Sequence, residues 1–380
     1  MDRFAIFFPQ FHRIRVNDQA WGSGFTDWAL VATANAFGWW SRRAPSAGFY
    51  DLSQDSAIHA QFQLAAASGL SGFGIYHYWF EDGPELDAVE RWLLRSTLPE
   101  KFEFFLIWAN ESWSKRWAGN EHETIKRIEV RPSRDSVRQH VAYLAPLLSL
   151  RSCRKWQGRP MFVFYRPEFF AEPEETVEIY RQEFANVDLE VSLGFFAKNR
   201  NDLPFAALFD FCYLFEPRLY FNTKGFGRWD ALNQAYRTLL RQLPYEKVEA
   251  ISAWLLGGLG KRSRSYPFED FSRYMSSPDR AALTKNFACP VQNVVSCGWN
   301  NAPRYRDRFT ELTTPSAEQL QKMLIDLRQH PLYDSELPLL CNAWNEWSEG
   351  AAIEPCAYLG DRLLRCYVQS DKSPLANSAA

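Results

Sequence analysis

The chain has 380 residues and a mass of 44.2 kDa, so it is too long for a small disulfide-stapled scaffold and long enough for two domains or one enlarged barrel. With 46% hydrophobic and 23% charged residues it has a globular composition, and no apolar run approaches the roughly 18 residues of a membrane span. The 43 Lys and Arg residues against 45 Asp and Glu residues give a net charge of -2, which argues against a nucleic-acid or anionic-lipid partner.

Eight short runs rich in Phe, Val, Ile and Tyr predict β-strands along the whole chain. Segments whose apolar residues repeat at helical spacing separate them. The predicted strands are 4–8, 72–78, 103–109, 161–165, 190–196, 209–215, 291–297 and 337–342. Eight strand–helix units are the number that closes a (β/α)8 barrel. We therefore predict an α/β fold, a single (β/α)8 TIM barrel over residues 1–369 with enlarged loops after its strands.

Four helices between these strands have recognisable ends. Residues 53–68 place apolar side chains on one face, and residues 135–149 are a second predicted helix. A third helix is predicted after Pro173, which favours the first helical turn. A fourth follows Ser316, which with Gln319 has the spacing of a capping box.

Three segments depart from the regular alternation of strands and helices. Residues 13–50 mix Gly, Trp, Asn and Asp without a clear period, so we predict a structured loop over the barrel mouth. Residues 217–290 are predicted to be an insertion with a helix at 229–242, and residues 370–380 a disordered tail.

The cysteines and histidines carry no metal-site pattern. The seven Cys form no C-x-x-C pair, and the six His form no H-E-x-x-H motif. We therefore expect reduced thiols, no metal and no cofactor. The chain starts Met-Asp-Arg-Phe without a signal-peptide pattern, so a cytoplasmic location is expected.

The residues at and after the predicted strand ends are unusually polar and aromatic, and in a TIM barrel those loops form the active site. Aromatic plates beside amides, carboxylates and single cations suit a sugar, because its C–H face packs on an indole while its hydroxyls hydrogen-bond. We therefore predict an oligosaccharide or polysaccharide substrate. The candidate substrate-binding residues are Gln10, His12, His77, Tyr78, Trp79, Trp108, Asn110, Glu111, Trp113, Tyr165, Arg166, Trp299, Asn300, Arg304, Asn345 and Trp347.

Glu346 and Glu349 lie three residues apart directly after the last predicted strand. Glycosidic chemistry needs an acid and a base, and neighbouring Trp side chains can tune carboxyl pKa values. Glu111 is a competing carboxylate, with a structural pairing to Arg116 or another nearby cation as its alternative role. For His77 the alternative is a packed histidine among aromatic neighbours.

Five sequence blocks resemble the WbsX-like family, which is similar to glycoside hydrolase family 99, the endo-α-mannosidases. They are FPQFH at 8–12, WGSGFTDW at 21–28, YHYWF at 76–80, WANESW at 108–113 and NAWNEWSEG at 342–350. The chain differs from the family pattern at Phe7, Asn300 and Cys356, where the family tends to have Tyr, Asp and Asp. The resemblance leaves the sugar and the linkage open.

The resemblance implies a (β/α)8 barrel that acts on glycans, in the hydrolase relatives with retention of anomeric configuration. There the substrate's own 2-hydroxyl attacks the anomeric carbon and forms a 1,2-anhydro sugar. Carried onto this sequence, Glu346 is the base for that hydroxyl and Glu349 the acid/base at the leaving oxygen. WbsX-like proteins are often found in O-antigen and other surface-polysaccharide gene clusters and are labelled glycosyltransferases.

Three functions therefore remain open at this point. The leading one is a retaining, endo-acting α-glycoside hydrolase. The second is a glycosyltransferase or transglycosylase in surface-polysaccharide, including lipopolysaccharide, assembly, where a sugar hydroxyl replaces water. The third is a noncatalytic glycan-binding barrel.

Overall fold

A computed structural model of the protein describes residues 2–36, 44–115, 120–225, 263–285, 287–305, 309–329 and 336–369. Its centre is a closed barrel of eight parallel strands in chain order, in which β1 pairs with both β2 and β8. The strands are β1 (Arg3–Phe7), β2 (Gly72–Phe80), β3 (Glu103–Trp108), β4 (Arg159–Phe164), β5 (Ser192–Ala197), β6 (Phe211–Leu214), β7 (Val291–Ser296) and β8 (Leu339–Asn342). The predicted TIM barrel and all eight of its strands are confirmed.

The described helices follow the strands or lie in the loops between them. They are α1 (Arg15–Trp21), α2 (Asp27–Ala36), α3 (Asp55–Ala67), α4 (Ala88–Leu93), α5 (Arg134–Leu148), α6 (Pro173–Ala185), α7 (Arg218–Gly225), α8 (Phe268–Met275), α9 (Pro278–Thr284), α10 (Ala302–Tyr305), α11 (Ala317–Arg328) and α12 (Arg362–Gln369). The four helices predicted from the sequence are confirmed as α3, α5, α6 and α11. None of these described helices is both long enough and apolar enough to cross a membrane.

Side chains of each barrel strand alternate between two apolar layers. In β1, Phe4 and Ile6 pack inside the barrel, whereas Ala5 and Phe7 pack in the layer between strands and helices. This two-sided burial is expected for a parallel sheet covered by helices. Where inner rings are large, the backbone opposite has no room for a side chain: a Cβ on Gly194 would lie 2.1 Å from the Phe211 ring.

The first insertion differs from its prediction, because residues 13–50 contain two helices and not only a loop. Helix α2 buries Trp28, Val31 and Ala34, which are three residues apart and share one helical face. The many polar and small residues between them hide this short period in the sequence. The helix packs against α10 and the turn after β8, and so belongs to the barrel mouth.

The second insertion, predicted at 217–290, is described only in part. Its described portions include α7, α8 and α9 and a short strand, Arg264–Tyr266, which pairs with Thr310–Leu312. The helix predicted at 229–242 and the tail predicted at 370–380 lie outside the described residues.

The start of α11 provides a test of local stability. The Ser316 hydroxyl accepts from the Gln319 amide nitrogen at 3.2 Å, and the Gln319 side chain accepts from the Ser316 amide nitrogen at 2.9 Å. We expect Ser316→Ala to lower the free energy of unfolding by about 1 kcal/mol, because it removes the N-cap acceptor. Urea unfolding measures this, with Lys322→Ala on the exposed side of the same helix as control. Equal stability of the two variants would contradict the capping role.

Candidate active site

One arginine side chain holds three carboxylates at the barrel mouth. Arg304 Nη2 lies 3.0 Å from Asp27 Oδ2 and 3.2 Å from Glu346 Oε1, and Nη1 contacts Glu349 Oε1. Glu346 and Glu349 flank the tight turn that follows β8, and α2 contributes Asp27. We call Asp27, Glu346 and Glu349 the carboxylate cluster. The two glutamates predicted as acid and base are thus brought to one guanidinium.

Two further side chains contact the cluster. The Ser348 hydroxyl oxygen lies 2.6 Å from Asp27 Oδ2 and 2.8 Å from Glu346 Oε1. Gln10 Nε2 donates to Asp27 Oδ2 at 2.7 Å. Gln10, predicted to bind substrate, therefore lies beside the cluster and contacts a carboxylate of the protein. Sequence reasoning missed the roles of Asp27 and Ser348, although both residues lie within the motif blocks.

Burial raises the pKa of both glutamates. For Glu346 the pKa rises well above its usual value, because desolvation and the neighbouring Glu349 and Asp27 outweigh the opposing charge of Arg304. For Glu349 desolvation also raises the pKa, and Arg304 opposes it. In the described part of the chain Arg304 contacts all three acids and the charge of Arg218 also acts on Glu349, so the acids outnumber these cations and retention of a proton in the cluster is favoured.

Tyrosine and tryptophan rings form the inner wall of the mouth beside this cluster. Tyr78 packs edge-on against Trp113 with ring centroids 5.3 Å apart, and Tyr76 packs edge-on against Tyr165 at 5.7 Å. Burial, with a contribution from the charge of Glu346, raises the pKa of the Tyr78 hydroxyl. Phenols that stay protonated can donate hydrogen bonds beside apolar ring surface, which is the combination that a sugar ring needs.

A second charged group lies after β3, β4 and β5. Arg166 Nη1 is 3.1 Å from Glu111 Oε2, and Arg166 Nε is 2.9 Å from Glu168 Oε1. Lys198 Nζ lies 3.7 Å from Glu168 Oε1, and burial lowers the pKa of Lys198 to about 8. Glu111 is therefore paired as its alternative role required, with Arg166 as a partner, while Arg116 lies outside the described residues.

Three of the predicted substrate-binding polar residues connect parts of the scaffold. Asn345 Oδ1 accepts from the Phe8 amide nitrogen at 2.7 Å, and its Nδ2 donates to the Phe8 carbonyl at 3.0 Å. Asn110 makes the same pair of bonds to the Arg166 backbone, both at 2.7 Å. Asn300 accepts from the Ala302 amide nitrogen at 2.9 Å and so fixes the start of α10, the helix of Arg304.

Three predicted substrate-binding residues, His77, Trp79 and Trp108, are not brought to the mouth. They lie in the layer between strands and helices, because residues alternate along each strand. On β2 the side chains of Tyr76, Tyr78 and Phe80 face inward, and on β3 those of Phe105 and Ile107 do. His77 is fully buried, with Nδ1 at 2.8 Å from Glu90 Oε1. This corrects the expected substrate contact of His77 in favour of the packed alternative.

The layer outside β2 contains a buried polar line that sequence reasoning missed. His77 Nε2 lies 2.7 Å from His140 Nε2, and His140 Nδ1 lies 2.7 Å from the Tyr180 hydroxyl. Burial lowers the pKa of His140 well below its usual value. The Tyr180 hydroxyl can donate to His140, His140 to His77, and His77 to Glu90. Two neutral imidazoles can therefore form every hydrogen bond of this line. Only the strand register, which the sequence does not state, places these groups together.

Three other residues predicted to bind substrate are buried and offer little ring surface on which a sugar could stack. His12 is 5% exposed, Trp299 is 7% exposed and Trp347 is 1% exposed.

Two of the residues that depart from the family pattern are buried in the scaffold. Phe7 packs against Phe73 outside the barrel, with ring centroids 4.9 Å apart. Cys356 is buried, with its thiol 3.1 Å from the Leu359 amide nitrogen.

A buried acid below the mouth supports the turn after β8. Glu354 accepts from Trp347 Nε1 at 2.7 Å, from Gln61 Nε2 at 2.9 Å and from the Tyr50 hydroxyl at 3.0 Å. Burial raises the pKa of Glu354 to about 7, although these donors favour the ionised form. Sequence reasoning did not single out Glu354, because nothing local distinguishes it from a surface acid.

Glu354 makes the stability of the protein depend on pH. Its pKa is higher in the folded than in the unfolded chain, so stability present below about pH 4.5 is lost as the pH rises through about 7. We expect Glu354→Gln to reduce this loss of stability by up to about 3 kcal/mol, because glutamine does not ionise. The pH dependence of the free energy of urea unfolding measures the effect. The exposed Glu178→Gln is the control, and an unchanged slope in Glu354→Gln would contradict the expectation.

A family model and two curated relatives match nearly the whole chain. The family model described as Glycosyltransferase WbsX matches residues 3–367. Proteins described as Uncharacterized protein WxcX, from Xanthomonas campestris pv. campestris strains B100 and ATCC 33913, are 28% identical over 370 residues. That alignment covers 94% of this chain and 47% of those proteins, so the chain spans about half the length of the curated relatives it matches.

Solved structures share the barrel. The structure of the GH99 endo-alpha-mannosidase from Bacteroides thetaiotaomicron has a TM-score of 0.55 at 14% identity, over 97% of this chain and 96% of that one. A structure described as Glycoside hydrolase-like protein has a TM-score of 0.56 at 11% identity, over 98% and 94% of the two chains. At these identities the likeness shows the fold alone.

Proposed function

This chain belongs to the family described as Glycosyltransferase WbsX, and we propose that it is a retaining α-glycoside hydrolase that cleaves within a glycan or surface polysaccharide. The observation that carries the proposal is the pairing of Glu346 and Glu349 on the single guanidinium of Arg304. Both carboxyl groups lie at the C-terminal end of the barrel strands, where TIM-barrel enzymes carry their chemistry.

The proposed reaction uses the two glutamates in different roles. Glu346 takes the proton of the substrate's 2-hydroxyl, whose oxygen attacks the anomeric carbon and forms a 1,2-anhydro sugar. Glu349 gives a proton to the leaving glycosidic oxygen as that bond breaks. In the second step Glu349 takes a proton from water, water attacks the anomeric carbon, and the 2-hydroxyl recovers its proton from Glu346.

Local electrostatics raise the pKa of both glutamates, so Glu346 must lose its proton before it can act as the base. The raised pKa of Glu349 favours the protonated state that a general acid needs, and the raised pKa of Glu346 makes its carboxylate a stronger base. Arg304 contacts both groups and can stabilise whichever is ionised. The phenols of Tyr76, Tyr78 and Tyr165 supply the aromatic and hydrogen-bonding wall for a sugar.

Product analysis in oxygen-18 water tests the proposal. The protein is incubated with a panel of α-linked oligosaccharides and polysaccharides, and the products are analysed by mass spectrometry before the anomeric oxygen exchanges with water. We expect shorter products with one label at the new reducing end. Absence of turnover together with glycan binding would replace hydrolysis by a noncatalytic binding role.

A glycosyl-transfer reaction is the second candidate, and the description of the family as a glycosyltransferase favours it. A sugar hydroxyl would replace water in the second step, with the same two glutamates. The same experiment separates the two reactions, because transfer yields longer products without the oxygen-18 label.

A further inference from the structure

The contacts of Ser348 restrict where protons can lie in the carboxylate cluster. Its hydroxyl oxygen is 2.6 Å from Asp27 Oδ2 and 2.8 Å from Glu346 Oε1, and both are hydrogen-bond distances. Ser348 has one hydroxyl hydrogen, so it can donate to only one of these oxygens. The other contact is a hydrogen bond only if that carboxyl group itself carries a hydrogen.

The surroundings of the two carboxyl groups decide which one carries it. Asp27 Oδ2 accepts from Gln10 Nε2 at 2.7 Å and from Arg304 Nη2 at 3.0 Å, so together with Ser348 it faces three hydrogen-bond donors and has little room for a hydrogen of its own. Glu346 Oε2, by contrast, is buried without a hydrogen-bond partner in the described part of the chain. An ionised group with a bare buried oxygen is costly, so the hydrogen belongs to Glu346.

We infer that Glu346 is protonated in the resting protein and that Ser348 passes this proton to Asp27 when Glu346 ionises. The Glu346 Oε1–H bond breaks as a new bond to Ser348 Oγ forms, and the original Ser348 hydrogen moves to Asp27 Oδ2. No hydrogen leaves the cluster, and Glu346 becomes the carboxylate. Asp27 is thereby a positioning residue that determines when the base is available.

The catalytic use of this transfer rests on the proposed function, whereas the resting position of the proton does not. The other groups that face Glu346 are Arg304 from α10, Glu349 from its own turn, and Tyr76 and Tyr78 from β2. Among these described groups Arg304 is the cation, and the charge of Arg218 from α7 acts on the adjacent Glu349. The burial that raises the pKa of Glu346 agrees with the assignment.

Carbon-13 NMR of protein labelled at the glutamate side-chain carboxyl carbon tests the inference without any glycan. Glu346→Gln identifies the Glu346 signal by its loss. We expect this signal to show a protonated carboxyl group at about pH 7, far above the ordinary titration of a glutamate. An ionised Glu346 at that pH in the wild type would overturn the inference.

Two variants then test the route. Asp27→Asn removes a like charge, so the titration midpoint of Glu346 should fall by about 1–3 pH units, whereas Asp18→Asn, in the exposed ion pair with Arg13, should leave it unchanged. Ser348→Ala should also lower the midpoint, because the protonated cluster loses one more hydrogen bond than the ionised one. A Ser348 that only donated to an ionised Glu346 would give a higher midpoint when removed.

An unchanged Glu346 midpoint in a folded Asp27→Asn, or a raised one in Ser348→Ala, would overturn the relay. If Asp27→Asn does not fold, the wild-type titration and Ser348→Ala decide the question. Where a cleaved glycan is known, the acidic limb of kcat/KM in Asp27→Asn should move to lower pH by the same amount. If the titration midpoints do not shift as expected while hydrolysis is observed, only this inference is wrong. If the midpoints shift as expected but no glycan is hydrolysed, only the proposed function is wrong.

Discussion

Glu346→Gln and Glu349→Gln should each lower the turnover of a glycan that the wild type cleaves by about 10²–10⁴-fold, which is the usual contribution of a general acid or base. An amide can neither accept the proton of the 2-hydroxyl nor donate one to the leaving oxygen. Because glutamine keeps the size of the side chain and can still accept from Arg304, the loss should fall on kcat more than on KM.

A matched set of variants separates chemistry from folding in this experiment. Glu178→Gln, on the exposed face of α6, makes the same chemical change away from the mouth and should keep full activity. Urea unfolding of each variant checks that the barrel is intact. If a folded Glu346→Gln or Glu349→Gln turned over the glycan within about threefold of the wild type, that residue would lose its catalytic assignment.

Arg280→Met should lower the free energy of unfolding by about 3–5 kcal/mol, because it leaves a buried acid without its counterion. Arg280 and Glu216 are both fully buried, with Arg280 Nη2 at 3.3 Å from Glu216 Oε1. Burial raises the pKa of Glu216 to about 7, so the orphaned carboxyl group can be accommodated by protonation at low pH. The cost should therefore be larger at about pH 8 than at about pH 5.

The double variant Arg280→Met with Glu216→Gln provides the internal control. Removing both charges should recover a large part of the stability, since the penalty comes from the unpaired charge and not from the lost pair. Arg273→Met, which breaks an exposed pair with Asp270, should cost less than about 1 kcal/mol. A cost for Arg280→Met that is no larger than for Arg273→Met would show that Glu216 is not ionised when paired.

Much of the barrel could be predicted because its elements are specified locally. Each strand is a run of β-branched and aromatic residues, and the Ser316 cap and the Pro173 start mark helix ends through contacts a few residues apart. Glu346 and Glu349 could be recognised for the same reason, since one tight turn, Trp347–Glu349, a few residues after β8 keeps them together.

The sequence predicted less well which side chains point into the barrel mouth. Neighbours on β2, such as His77 and Tyr78, have similar propensities, yet one points to the helices and the other to the barrel axis. Asn110 and Asn345 resembled sugar ligands because amides serve both purposes. Their partners are backbone groups just after the neighbouring strands, which the parallel pairing of the barrel strands brings within reach.

The sequence by itself determined the eight strands, their parallel order and the acid pair, because these depend on residue type and short spacing. The tertiary structure alone decided that Asp27 meets Ser348, 321 positions away, and that Arg304 joins α2 to the turn after β8. The physical reason is that a carboxyl group's charge state depends on desolvation and on charges within a few ångströms. Those neighbours come from distant segments, and no local pattern records them.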